Sequence, residues 1–111
     1  MYRIRAIYLS RPDMHFDRDY YQKQHLSLAH RQLGDNIVPV RMDVEWDVRG
    51  LMGDAAVESP CTLSIYLESW SDVEKFRQFM QSPAVQPLID DVPRYTNCSL
   101  AWTVAQVDEV T

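Results

Sequence analysis

Residues Ile37 to Arg49 alternate without a break. Val38, Val40, Met42, Val44, Trp46 and Val48 fall on one side; Pro39, Arg41, Asp43, Glu45, Asp47 and Arg49 fall on the other. A period of two over that length predicts a strand with one buried face and one polar face. A sheet built on such a strand is covered by helices on one side only. Pro39 lacks an amide donor, which suits an edge strand or the start of one.

The rest of the chain supplies three more strands and two main helices. Tyr2 to Leu9 reads as a strand, bounded by the turn Ser10-Arg11-Pro12-Asp13. Tyr2, Ile4, Ala6 and Tyr8 share one side of it; Arg3, Arg5, Ile7 and Leu9 share the other. Phe16 to Gly34 reads as an amphipathic helix. Asp17 is its N-cap, Phe16 and Tyr21 form a hydrophobic staple, and Gly34 closes the far end. At about 100° per residue, Tyr21, His25, Leu28, Ala29, Gln32 and Leu33 share the inner face. Gly50 to Pro60 is aperiodic and reads as a loop, and Cys61 to Glu68 as the third strand. Ser71 opens the second helix with Glu74 as capping-box partner, and Val73, Phe76, Phe79 and Met80 form its apolar stripe. Ser82-Pro83 breaks it, a short helix follows to Val92, and Cys98 to Val107 is the last strand.

The order β-α-β-β-α-β predicts an α+β, ferredoxin-like fold: a four-stranded antiparallel sheet in the order 4-1-3-2, with the helices on one face. The whole 111-residue chain makes one domain. Cys61 and Cys98 then sit on strands separated by strand 1. Two strand spacings are about 9–10 Å, beyond the roughly 7 Å reach of a disulfide, so both thiols are expected free. The uncovered face carries Ile7 and Leu9 beside Arg3 and Arg5. If Asp43, Glu45 and Asp47 share that face, the arginines have acidic counterparts within the subunit or across a two-fold, and closing two sheets together predicts a homodimer.

A net charge of −5 argues against nucleic acid or an anionic membrane as partner. No apolar run approaches the roughly 20 residues that span a bilayer. The N-terminus enters a strand pattern directly, without a signal peptide's apolar segment, so a cytoplasmic location is expected.

His25 is the leading candidate for chemistry. An imidazole on an apolar helix face acts as general acid or base when a pocket reaches it, and is otherwise a core histidine with its polar tip satisfied. Tyr21, one turn earlier on the same face, either orients the imidazole or substrate through its hydroxyl or serves the staple alone. Tyr8, Trp46, Tyr66, Phe76 and Trp102 either wall an apolar substrate cavity or are plain core, and Tyr95 is placed at the cleft mouth. Asp90 and Asp91 read as a helix-end feature or as partners of Arg94. His15 and His30 fall on exposed positions, so no metal geometry converges. With three glycines in all and no Ser-His-Asp elbow, no nucleotide loop or hydrolase triad is expected.

Two separated stretches resemble one family. Phe16-Asp17-x-Asp19-Tyr20-Tyr21-x-x-x-His25-x-x-Leu28 resembles the first-helix signature of the EthD family, named for ethyl tert-butyl ether degradation. Ser82-Pro83, Leu88-Ile89-Asp90-Asp91-Val92-Pro93 and Tyr95-Thr96-Asn97 are similar to its second signature. Ser27 stands where the family usually has Pro, which predicts a straighter helix. The resemblance implies a dimeric α+β barrel that takes a small hydrophobic molecule between helices and sheet. It implies a cofactor-independent enzyme, of oxygenase or isomerase/cyclase type, acting on an aromatic, polyketide-like, lactone or ether-derived intermediate. Haem-dependent relatives present an axial His from the second helix; Ser71 to Gln81 has none, so no haem is expected. The competing readings are a non-catalytic carrier of such an intermediate and a purely structural dimer.

Overall fold

The computed structural model describes residues 1–111. Its strands are β1 (Tyr2–Leu9), β2 (Arg41–Arg49), β3 (Val57–Leu67) and β4 (Ser99–Gln106). Helix α1 spans residues 18–33, joining Arg18–Tyr20, a π-helical turn Tyr21–His25 and Leu26–Leu33. Helix α2 is Trp70–Met80. Helix α3 is Gln86–Asp91, flanked by the 3-10 turns Pro83–Val85 and Val92–Arg94. The strands form one antiparallel sheet in the order β2-β3-β1-β4, the split β-α-β-β-α-β arrangement read from the sequence.

Register explains which side chains meet. Ala6 lies opposite both Leu63 and Trp102, and Tyr8 opposite both Cys61 and Leu100. Across β3, Val44 pairs with Leu63 and Trp46 with Cys61. Because side chains alternate faces, these residues all point to the helix side. Ile4, Ala6, Leu63, Ile65 and Leu67 pack there against Val73 and Phe76 of α2. A second, largely aromatic cluster gathers Tyr8, Tyr21, Cys61, Tyr95 and Cys98. β1 separates the two cysteine-bearing segments, and both thiols are free and buried. On the other face Arg5 reaches Glu45 at 3.7 Å and Ser64 at 3.4 Å, so Arg5 finds its acidic counterpart within the chain.

Several boundaries differ from the periodicity. β2 begins at Arg41, not Ile37; Val38 and Val40 are 74% and 54% exposed. Arg41 is already opposite Tyr66, near the end of β3, so residues 37–40 have no strand to lie against beyond one bond from the Val40 amide to the Tyr66 carbonyl. β3 begins at Val57 and runs through Pro60, inside the stretch read as loop. That proline is tolerated because β2 is irregular beside it: Asp47 has φ of 54°, and the register shifts between Val48 and Arg49. Helix α2 is capped by Ser69 rather than Ser71. The Ser69 hydroxyl oxygen accepts from the Asp72 amide at 3.2 Å, and the hydroxyl donates to the Asp72 carboxylate at 3.1 Å. The earlier start seats Trp70 edge-on against Tyr2 at 5.3 Å, under the Arg77 guanidinium.

Helix α1 begins as read: Asp17 accepts from the Tyr20 amide at 3.0 Å, and the Phe16 and Tyr21 rings meet at 5.2 Å. It ends at Gly34, whose φ of 64° favours glycine. In between it is not the straighter, regular helix expected without proline. The Leu26 amide donates to the Tyr21 carbonyl, five residues back, which makes a π-helical turn. The wider turn holds the Tyr21 and His25 rings nearly parallel, 5.5 Å apart, and moves Leu26 onto the inner side. No helix is long and apolar enough to cross a membrane.

Candidate functional site

The site lies between the sheet and the helices. A cavity of about 120 Å³ is lined by eighteen hydrophobic residues and one imidazole, that of His25. Leu63 and Ile65 form its floor, Leu26 and Ala29 of α1 one wall, and Leu88, Ile89 and Val92 another. Beyond Phe76, Met80 and Trp102 lies a wider groove of about 370 Å³, bordered also by Arg77, Gln81 and Thr103.

His25 is 8% exposed and is held on three sides. Tyr21 stacks on it, Tyr95 lies 4.6 Å away at 57°, and its Nδ1 is 3.0 Å from Oδ2 of Asp91. Asp91 is the only protein group that hydrogen-bonds the ring, so Nε2 has no protein partner. Asp91 ends α3 and is itself 8% exposed. Its other oxygen, Oδ1, accepts from the Tyr20 hydroxyl at 2.7 Å, with the Arg94 Nε at 3.8 Å.

The electrostatics follow from these contacts. Burial pushes the Asp91 carboxyl up, but the hydrogen bonds from Tyr20 and His25, with the His25 and Arg94 charges, outweigh it and hold the group below 3.8. Burial pushes His25 below 6.5, and Asp91 opposes that shift only in part. At neutral pH the pair is therefore a carboxylate and a neutral imidazole. Burial raises the phenols of Tyr8, Tyr21 and Tyr95, so they stay protonated. Burial pushes the Cys61 thiol up to about 12, which leaves it inert as a nucleophile.

A strap fixes the two halves of the site together. Phe16 bridges to Thr96, and the Asp17 amide donates to the Tyr95 carbonyl at 2.8 Å. Thr96 donates to the His15 carbonyl at 2.8 Å, and Asn97 to the Asp13 carbonyl at 2.9 Å. The Tyr95-Thr96-Asn97 stretch thus pins the approach to α1, which carries Tyr20, Tyr21 and His25.

Of the residues singled out from sequence, Tyr8, Tyr21, His25, Phe76 and Trp102 line the cavity. Tyr21 meets His25 through its ring face, not through its hydroxyl. Three placements are corrected. Tyr95 is fully buried behind His25, not at the mouth, and its hydroxyl bonds that of Tyr8. Trp46 lies on the helix side but beyond the cavity, edge-on to Phe16 at 6.0 Å, beneath the Arg18 guanidinium at 4.8 Å. Tyr66 has the opposite parity to Leu63 and Ile65, so it faces away from the helices and stacks under Arg41 at 4.3 Å. Asp91 does face Arg94, as one reading of it held, but its nearer partners are His25 and Tyr20. Tyr20 and Asp91 both fall inside the two quoted motifs, the only sequence signal they carried. No three His, Cys, Asp or Glu side chains stand close enough to hold a metal ion.

Fold and site together define a ferredoxin-like α+β domain with an apolar, histidine-bearing hollow between sheet and helices. Solved structures share this fold. An EthD-like protein of Ralstonia eutropha JMP134 superposes with a TM-score of 0.76 at 18% identity, over 95% of this chain and 89% of that one. An ethyl tert-butyl ether degradation (EthD) family protein of Bacillus halodurans C-125 gives 0.60 at 15% identity, over 97% and 99%. The protein Rv0793 of Mycobacterium tuberculosis gives 0.56 at 16% identity, over 99% and 98%. At these identities the likeness is one of fold. No protein-family model and no curated protein matches the chain.

Proposed function

We propose that this EthD-like chain binds a small hydrophobic molecule in the cavity beside His25 and moves a proton on it, without a cofactor. The observation that carries this reading is the lone imidazole among eighteen hydrophobic lining residues, buried and held by a carboxylate. An apolar wall binds an apolar guest by surface removed from water, while a single placed polar group gives direction and chemistry. An engineered cavity of about 150 Å³ takes benzene, so the hollow of about 120 Å³ suits a guest of one small ring or its aliphatic equivalent. Tyr21 acts here by holding the imidazole plane, and Tyr8, Phe76 and Trp102 act as walls. The open sheet face supports a homodimer.

The test begins with mass spectrometry of small molecules that co-purify with the native protein. The compound found is then assayed for turnover by wild type and by His25→Gln. Proton transfer by a positioned side chain contributes about 10²–10⁴-fold, and the variant should lose that much while still binding. Binding without turnover in wild type would leave a carrier. Equal turnover in a well-folded variant would remove His25 from the chemistry.

A further inference from the structure

We infer that Asp91, anchored by Tyr20, is a positioning residue that fixes His25 in the Nδ1–H tautomer, so that proton transfer in the cavity starts with abstraction by Nε2. This rests on the proton-transfer reading above and gives it a direction.

The geometry supplies the argument. An ionised carboxylate only accepts hydrogen bonds. Oδ2 of Asp91 stands 3.0 Å from His25 Nδ1, so the proton of a neutral ring belongs on Nδ1. Nε2 is left with its lone pair and no protein donor to occupy it, Asp91 being the ring's only hydrogen-bond partner. Tyr20 donates to Oδ1 at 2.7 Å, which fixes the rotation of the carboxylate and keeps Oδ2 aimed at the ring. Tyr20 immediately precedes the π-helical turn, His25 is its last residue, and Asp91 closes α3, so the contact spans both motif-bearing halves of the chain. The groups facing the imidazole from other directions are neutral phenols: Tyr21 stacked on it, Tyr95 beside it, and Tyr8 behind them. Arg94 lies on the outer side of Asp91, 3.8 Å from Oδ1.

The step balances without any further reagent. A C–H or O–H bond of the guest breaks, its proton bonds to Nε2, and the electron pair stays on the guest. The ring becomes an imidazolium whose Nδ1–H still points at the Asp91 carboxylate, forming a buried ion pair. Returning the proton to a different atom of the guest gives an isomerisation or ring closure and restores the neutral ring. The substrate class is therefore a weak carbon or oxygen acid with an apolar body.

The test is ¹⁵N NMR of protein labelled at histidine, followed across pH. At pH 8, His25 of the wild type should show a protonated Nδ1 and an unprotonated Nε2. Asp91→Asn keeps the shape but removes the charge and offers either a donor or an acceptor. It should lower the His25 titration midpoint by about one pH unit, a tenfold loss of proton affinity, and mix the tautomers. Tyr20→Phe should keep the tautomer and broaden its signal. An Nε2–H tautomer in wild type overturns the inference without recourse to any variant, as does an unmoved midpoint in a folded Asp91→Asn. This readout needs no substrate. Failure of turnover with the expected tautomer would therefore strike the proposed function and leave the Tyr20–Asp91–His25 arrangement standing.

Discussion

The hydroxyls of Tyr8 and Tyr95 are hydrogen-bonded to each other in the centre of the aromatic cluster, 87 residues apart in sequence. Tyr8 is 2% exposed and Tyr95 is fully buried, so neither hydroxyl has water as an alternative partner. Removing one of a buried pair leaves the other unsatisfied, which costs about 1–3 kcal/mol, whereas replacing both with apolar groups of the same shape is nearly neutral. Tyr8→Phe orphans the Tyr95 hydroxyl completely and should show the full cost. Tyr95→Phe leaves the Tyr8 hydroxyl without its partner and should cost a similar amount. The double variant should be more stable than the sum of the two single losses by about 1–3 kcal/mol. Urea unfolding followed by far-UV circular dichroism measures all four corners of the cycle, with an unchanged slope as the check on two-state behaviour. At roughly 4 °C per kcal/mol for a chain of this length, the coupling is also visible in thermal melts. Additive losses, or a Tyr8→Phe variant as stable as wild type, would refute the reasoning.

Three further outcomes follow from the charges and the open face. His25 lies below 6.5 when folded, because burial disfavours its charged form, so on acidification the unfolded chain takes up this proton first. Stability should be full above pH 6.5 and fall as pH drops toward the folded value; His25→Gln should remove that slope, and a slope unchanged in the variant would refute the assignment. Asp91, held below 3.8, acts in a separate and more acid window, where its contribution is present above pH 3.8 and is lost as pH falls through the folded value. Size-exclusion chromatography with light scattering should give twice the chain mass, and a monomer mass across the micromolar range would remove the face-to-face pairing of sheets.

The architecture was legible because it rests on periodicity. Tyr2, Ile4, Ala6 and Tyr8 alternate, Val73, Phe76 and Met80 repeat at helical spacing, and the element order leaves the split sheet as the simple solution. The errors sit where a local pattern has no partner in space. Val38 and Val40 continue the alternation of β2 past the end of β3, and Pro60 passes through a strand because Asp47 has already bent its neighbour. The candidate site was legible only in part, for the same reason. Helical phase put Tyr21 and His25 on one face, but an ideal phase cannot foresee the π-helical turn that brings Leu26 inward. The Asp91 contact lies 66 residues from His25, and no single-chain periodicity reports on so remote a pair. Aromatic character carries no strand parity, and parity turns Tyr66 to the far face, under Arg41.

Phe76, Met80 and Trp102 border both the histidine-bearing hollow and the wider groove outside it. The two spaces are thus rooms with a common partition, and Trp102, 44% exposed, is its outermost panel. Volume gained on one side by a turn of these side chains is volume taken from the other. Under the binding proposed above, a guest too long for the inner room would extend outward at their expense, and the size of molecule admitted would be set by how far three side chains yield.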